Sequence, residues 1–408
     1  MRACLQVLAL TAWPTVAFGH AGAGPVSIDA NASDSLEAGF GLLLSSDEGW
    51  KWVCHEAVTT PESILTPRYV RSPGGAWFAT VPRLDQARLP GQSMYRSADG
   101  CDWDPVVGLD DRVMSAVVFV DPERAVAATA DLAEDSVNGL YASRDGGLTW
   151  QVRQTFDGVR IITAMVAFNT DVYATSFSPA EPTAAQLHHS EDGGENWVTT
   201  PIDVSEWADT DPLDVRVIAA DERGLWWSVG APTGHVLQFH TPSDGQTQTV
   251  LVTDGVLTDG AIDEQGTVWA LQTIQAVHRS ADGIRFEAVA DVPQGLGIGA
   301  SSDGVRIATS ALATGALSFT LDADGVAVEE VVVDDLTGPL TCPDDSEQSR
   351  ICEPLWEFVL FDEDTVPDTD DSDDTDVDSG CKGCSSTEPG APMAFGLGLV
   401  LLWGRRRR

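Results

Sequence analysis

A phrase of the form Ser-x-Asp-x-Gly-x-x-Trp recurs along this chain, as Ser45/Asp47/Gly49/Trp52, Ser143/Asp145/Gly147/Trp150 and Ser190/Asp192/Gly194/Trp197. A form one residue shorter appears as Ser97/Asp99/Gly100/Trp103, and one with Phe for Trp as Ser280/Asp282/Gly283/Phe286. Self-similarity at this period marks a repeat architecture, in which no unit can bury its apolar face without its neighbours. The phrase has a physical logic of its own. Ser and Asp side chains bond nearby backbone in a tight turn, Gly permits a positive φ, and Trp packs its ring between strands while offering one N–H. Such turns are structural first.

The aspartates at 47, 99, 145 and 192 set the period, and the gap to Asp282 spans two repeats. A degraded turn, Ser243-Asp244-Gly245, divides that gap, and a second degraded copy, Asp322-Ala323-Asp324-Gly325, follows. Seven turns result. Between them the chain reads as short apolar strands, for example residues 115–120, 124–129, 139–143 and 149–153. Four such strands fill each repeat, the unit of a propeller blade. The expectation is an all-β, seven-bladed β-propeller of four-stranded antiparallel blades over residues 22–361. The first repeat has too little chain before Asp47 for a full blade, so residues 354–360 are expected to return as the strand that closes the ring and removes its open edges.

These boxes make the body resemble the Asp-box, or BNR-repeat, proteins: sialidases, sortilin-like receptors and the photosystem II assembly factor. The resemblance implies a propeller with each box in the turn between third and fourth strands, away from the usual central binding face. It specifies fold and leaves function open.

The two ends concern placement. Residues 1–21 join Arg2 to an uncharged, mostly apolar run and then small residues around Ala17 and Ala21, the pattern of a cleaved secretory signal. Residues 362–378 carry ten acidic groups and no base. That composition cannot bury a core, so 362–380 is expected to be a disordered spacer. After it, 381–408 holds Cys381 and Cys384, an uncharged stretch at 389–404 and four arginines at 405–408. The stretch is shorter than the ~20 residues of a standard span, and the arginines favour the cytoplasmic side. This order of parts resembles the C-terminal sorting tails of myxobacterial surface proteins, the MYXO-CTERM signal. The resemblance implies cleavage near Cys384 or Cys381 by a membrane protease and retention at the cell surface.

Removing the signal and the tail leaves Cys54, Cys101, Cys342 and Cys352, an even number that suggests disulfides in an exported protein. Four cysteines allow three pairings. Cys54 and Cys101 each lie two residues from a box Trp, in successive repeats, which favours Cys54 with Cys101 and Cys342 with Cys352.

The formal net charge of −40 repels phosphate backbones and excludes nucleic acid as a natural partner. Catalytic signals are sparse. The Arg-Ile-Pro motif of sialidases is missing, and Tyr95 and Tyr141 occupy packing positions ahead of boxes, which leaves Tyr69 and Tyr173 as nucleophiles in principle. His188 sits at the same repeat position as Tyr95, Tyr141 and His278, and adjacent His189 points to the opposite face of a strand, so the two would not share one metal ion. Asp209, Asp211, Asp214 and the acidic tail could associate weakly with calcium but lack the spacing of a calcium loop. No metal site, cofactor or catalytic residue is assigned. The reading is an exported, surface-anchored propeller that binds a glycan, protein or matrix ligand without catalysis. The alternatives are a divergent glycoside hydrolase or lyase acting at the central face, and a structural or assembly-assisting envelope protein.

Overall fold

The computed structural model describes residues 34–38, 40–58, 67–80, 94–109, 112–131, 137–156, 159–178, 181–204, 215–231, 234–272, 276–290, 295–301, 304–309, 316–322 and 325–358. The expected signal, spacer and sorting tail, with Cys381 and Cys384, lie outside them, as do Asp209, Asp211 and Asp214. The described strands form seven four-stranded sheets. In blades two to seven these are consecutive antiparallel meanders whose innermost strands are Arg68–Arg71, Met114–Phe119, Ile161–Phe168, Val215–Asp221, Leu257–Ile262 and Gly295–Ser301.

Burial shows why the sheets form a ring. Inner strands of a blade are covered on both faces, so Ala125–Thr129 of the third blade is buried at every position. Alternate side chains leave a strand on opposite faces. Accordingly Ala125 and Ala127 join Phe78 and Met94 of the second blade, whereas Val126 and Ala128 join Ile162 and Val172 of the fourth. Seven apolar clusters arise in this way, each shared by two adjacent blades, including the last and the first.

A second set of contacts runs around the ring in one direction. Glu37 accepts from the Tyr69 backbone N–H, and Asn138 donates to the Arg160 carbonyl. Thr163 donates to the carbonyl of Val215, Ser228 to that of Leu257, and Asp259 accepts from the Ile298 N–H. Arg306 closes the circuit by donating to the Ser35 carbonyl, held by Glu330 and lying over the Trp50 ring. In six of the seven interfaces, among the described residues, a side chain of one blade thus satisfies the backbone of the next blade near its innermost strand. Each such group would be costly to bury unpaired.

Ring closure departs from the sequence expectation. The first blade takes Ser35–Ala38, Gly41–Ser46 and Gly49–Cys54 from the N-terminal side, and its outermost strand is Leu336–Pro339. The closing strand therefore comes from the C-terminal side, but it runs parallel to Gly49–Cys54, so this blade is not fully antiparallel. Residues 354–358 do not form it, and 359–360 lie outside the described residues. Glu347–Leu355 is a helix capped by Ser346, whose side chain accepts from the Ser349 N–H, and Trp356–Phe358 continues as a 3-10 turn. The apolar run of Leu355, Trp356 and Ile351 packs on the first-blade core from a helix rather than from a strand.

The disulfide pairing is also corrected. All four cysteines are bonded, as Cys54–Cys352 and Cys101–Cys342. Adjacency in the repeat series was misleading because the C-terminal segment crosses the seam between the first and second blades. Gln348 donates from its side chain to the Trp52 carbonyl and from its backbone to the Cys101 carbonyl. That path brings each late cysteine to an early one.

Candidate functional site

The boxes are built as their chemistry requires in four blades. In the fourth, Ser190 Oγ donates to Asp192 Oδ1 at 2.8 Å and accepts from the Gly194 N–H at 2.8 Å. Asp192 Oδ1 also accepts from the backbone of Glu195 and Asn196, and Trp197 Nε1 donates to the Gly194 carbonyl at 2.9 Å. Ser143, Asp145, Gly147 and Trp150 repeat the arrangement, as do Ser97, Asp99, Gly100 and Trp103 with Cys101 as the backbone donor. Gly194 has φ +95° and a Cβ there would lie 2.3 Å from Val126 of the preceding blade, so both conformation and space demand glycine. The box carboxylates are thus committed to their own turns.

The sixth-blade box keeps Ser280, Asp282 and Gly283 but has Phe286 where the others have Trp. Its glycine carbonyl still receives an indole: Trp226 Nε1, from the second strand of the preceding blade, donates to Gly283 at 2.8 Å. Asp282, bonded by the backbone N–H groups of Arg285 and Ile284 and by Ser280, is held down to about 2.

The first box is a correction. Ser45, Asp47, Gly49 and Trp52 fit the phrase, but the turn joins the second and third strands, with Ser46 paired to Gly49 in a tight hairpin. Ser46 Oγ donates to the Gly49 carbonyl, and Trp52 Nε1 donates to the carbonyl of Phe40. The other boxes follow the third strand, as do the degraded turns. At Ser243-Asp244-Gly245 the Asp accepts from Gln246, and at the last turn Asp322 accepts from Val326. Asp324 lies outside the described residues.

The histidines and tyrosines singled out by sequence are packing groups. His188 is buried between the hydroxyls of Ser176 and Thr199, and burial pushes its pKa down to about 4, aided by Arg160. His189 points the other way, pairing with Asp171 at 2.8 Å and stacking on Tyr173. Tyr69 is 5 % exposed, with its hydroxyl 3.1 Å from His55 Nδ1. Burial, with Glu37 and Glu56 nearby, raises its pKa well above that of free tyrosine. Tyr173 is likewise pushed up to about 12, chiefly by burial. Neither is poised as a phenolate nucleophile.

A different group of charges converges where the innermost strands begin. In a four-stranded meander the boxes, between third and fourth strands, lie at the end where the innermost strand finishes. Arg68, Arg216 and Asp259 are the first, second and third residues of their innermost strands, at the opposite end. They come from the second, fifth and sixth blades, so Arg68 faces the other two across the channel. Burial raises Asp259 to about 6, against the pull of the Ile298 and Gly260 N–H groups and the positive charges of Arg68 and Arg216. A repeated irregularity aids the placement: innermost strands of five blades carry a register shift near their start, as between Leu257 and Asp259 and between Val217 and Ala219. Such bulges re-aim side chains. Nothing in the box phrase signals this site, since it is assembled from single residues in three separate repeats. Among the described residues no group of three His, Cys, Asp or Glu side chains converges as a metal ion needs.

No protein-family model matches the chain, and no curated protein sequence matches it. Solved structures do resemble it. A Mycobacterium tuberculosis puromycin-hydrolyzing peptidase aligns with TM-score 0.52 and 11 % identity, over 78 % of this chain and 54 % of the peptidase. At that identity the likeness concerns the fold alone, and the chain spans about half of that protein. YCF48 bound to a D1 peptide aligns with TM-score 0.36 and 16 % identity, over 53 % of this chain and 67 % of that one. A nidogen/laminin complex aligns with TM-score 0.40 and 8 % identity, over 64 % of this chain and 90 % of that one.

Proposed function

We propose that this protein is an exported, surface-anchored propeller that binds its ligand without catalysis, at the end of the ring where the innermost strands begin. The observation that carries the reading is the placement of Arg68, Arg216 and Asp259 at the starts of the innermost strands of three blades, with both arginines acting on the Asp259 carboxyl. At the opposite end the box carboxylates of Asp99, Asp145, Asp192 and Asp282 are already committed to their own turns. A glycoside hydrolase needs a pair of carboxyl groups or an activated tyrosine. Here Tyr69 and Tyr173 are buried and raised, and Asp259 is engaged with the backbone of the next blade. The partner is a glycan, a protein or a matrix component of the cell surface.

Export rests on residues 1–21, and anchoring on the acidic spacer and the tail. In the cell, the mature protein is expected at the surface without 405–408, ending near Cys384 or Cys381. The binding reading is tested with residues 22–361, labelled and applied to a glycan array and to intact cells lacking the gene. Binding that drops at least about tenfold, or ~1.4 kcal/mol, in Arg68→Ala/Arg216→Ala supports it. Binding unaffected by the double substitution moves the site elsewhere, and turnover of a glycoside reporter replaces the reading with the enzymatic one.

A further inference from the structure

The C-terminal segment ends its course in an unusual mechanical position. The strand that closes the ring, Leu336–Pro339, is held by a few parallel bonds to the first blade. Both disulfides attach the chain on the C-terminal side of that strand: Cys342 to Cys101 in the second-blade box turn, and Cys352 to Cys54 at the end of Gly49–Cys54. Noncovalent contacts follow the same path. The Leu340 N–H donates to the Trp52 carbonyl at 2.8 Å, the Glu347 N–H to Asp102 at 3.0 Å, and Trp356 packs on Trp52 with ring centroids 5.7 Å apart.

We propose that residues 340–358 are a tension clasp, which diverts force on the C-terminal end of the body into the first and second blades before it can reach the closing strand. Tension applied beyond residue 358 meets Cys352 first and passes through Cys54 into the third strand of the first blade. If that bond is absent, Cys342 and Cys101 take the load into the second blade. In either case Leu336–Pro339 bears none. A closing strand pulled directly would peel bond by bond and expose the edges that closure exists to hide. The mechanics rest on the described body alone; their use in the cell rests on the proposed anchoring.

The test is single-molecule stretching of the full chain in detergent micelles, held at its N-terminal end and after Arg408. With both bonds intact the 298-residue separation of Cys54 and Cys352 cannot be paid out, so only chain outside that loop extends. Adding a dithiol to the same molecules should release roughly 1,000 Å more, at ~3.3–3.6 Å per residue, at forces at which the oxidised molecule extends no further. Cys54→Ser/Cys352→Ser should still withhold the Cys101–Cys342 loop, and replacing all four cysteines should abolish the protection. Same-molecule reduction keeps the test valid if the fourfold variant does not fold. Equal resistance before and after reduction, or release of the full length with both bonds oxidised, overturns the proposal. Fractionation of cells decides anchoring separately: a soluble, unanchored protein that still shows the protected loop refutes the anchoring and leaves the clasp standing.

Discussion

Trp226 Nε1 donates to the carbonyl of Gly283, which lies in the box of the following blade. In the complete boxes that bond comes from the Trp of the same turn, as Trp150 to Gly147 at 3.0 Å. The sixth blade, with Phe286 at the box position, has its indole supplied from outside, and the Trp226 ring sits where a Cβ on Gly283 would approach to 2.5 Å. The donor is present, from a different place in the sequence.

Trp226→Phe is therefore expected to lose more than ring area. A buried carbonyl is left without its donor, at a cost of about 1–3 kcal/mol. Chemical denaturation of residues 22–361 measures it; a midpoint within error of the parent's would show that the bond contributes nothing.

Two glycines separate crowding from backbone strain. Gly194→Ala places a methyl against Val126 at a φ of +95°, whereas Gly245, at φ +68°, has open space around its Cβ position. Gly245→Ala should cost about 1–2 kcal/mol from the left-handed conformation alone. Gly194→Ala should exceed it by about 1–3 kcal/mol of overpacking. Equal losses in the two variants would remove the packing argument for the box glycine.

Acid stability should carry two opposite signatures. Asp282 is lowered to about 2 by N–H groups that favour its charged form, so its contribution is present above pH ~4 and is lost as pH falls toward 2. Asp259 is raised to about 6, mainly by burial, so the folded state binds a proton more readily than the unfolded one and its ionisation costs stability as pH rises from ~4 through 6. Asp259→Asn should flatten the melting temperature between pH 4 and 7, and Asp282→Asn should flatten it below 4. A parent-like profile in Asp259→Asn would mean that Asp259 titrates as an ordinary carboxylate.

The disulfides should be visible both as connectivity and as stability. Peptide mapping without reduction is expected to recover Cys54 with Cys352 and Cys101 with Cys342. Each, taken alone, closes a loop long enough to constrain the unfolded chain by roughly 5–6 kcal/mol in the loop-entropy picture. Fragments joining Cys54 to Cys101 would restore the sequence-based pairing, and an unchanged melting temperature on reduction would show that the bonds are idle.

What the sequence made legible was periodic. The boxes at Asp99, Asp145, Asp192 and Asp282 located four turns correctly because a tight turn is specified by a few adjacent residues. Asp47 misled for the same reason: Ser, Asp, Gly and Trp at the right spacing also suit a two-residue hairpin, and only the partner strand distinguishes them. The closing strand 336–339, Leu-Thr-Gly-Pro, has little strand character and is held by its place in the ring, whereas residues 354–358 look like a strand and pack as helix and turn. The candidate site was hidden more thoroughly. Arg68, Arg216 and Asp259 occupy three repeats, and their meeting depends on ring closure, which no local pattern encodes.

In six of the seven interfaces, among the described residues, the bonds that join a side chain of one blade to the main chain of the next near its innermost strand all point the same way around the ring, and in each of these bonds the receiving blade offers only its main chain. A receiver can therefore change sequence without breaking the bond it accepts, so long as its backbone stays in place. Erosion of one repeat is then not transmitted to the next. The fifth and seventh blades, with Asp244 and Asp322 in turns that no longer spell the phrase, show how far such drift can go while the circle remains shut.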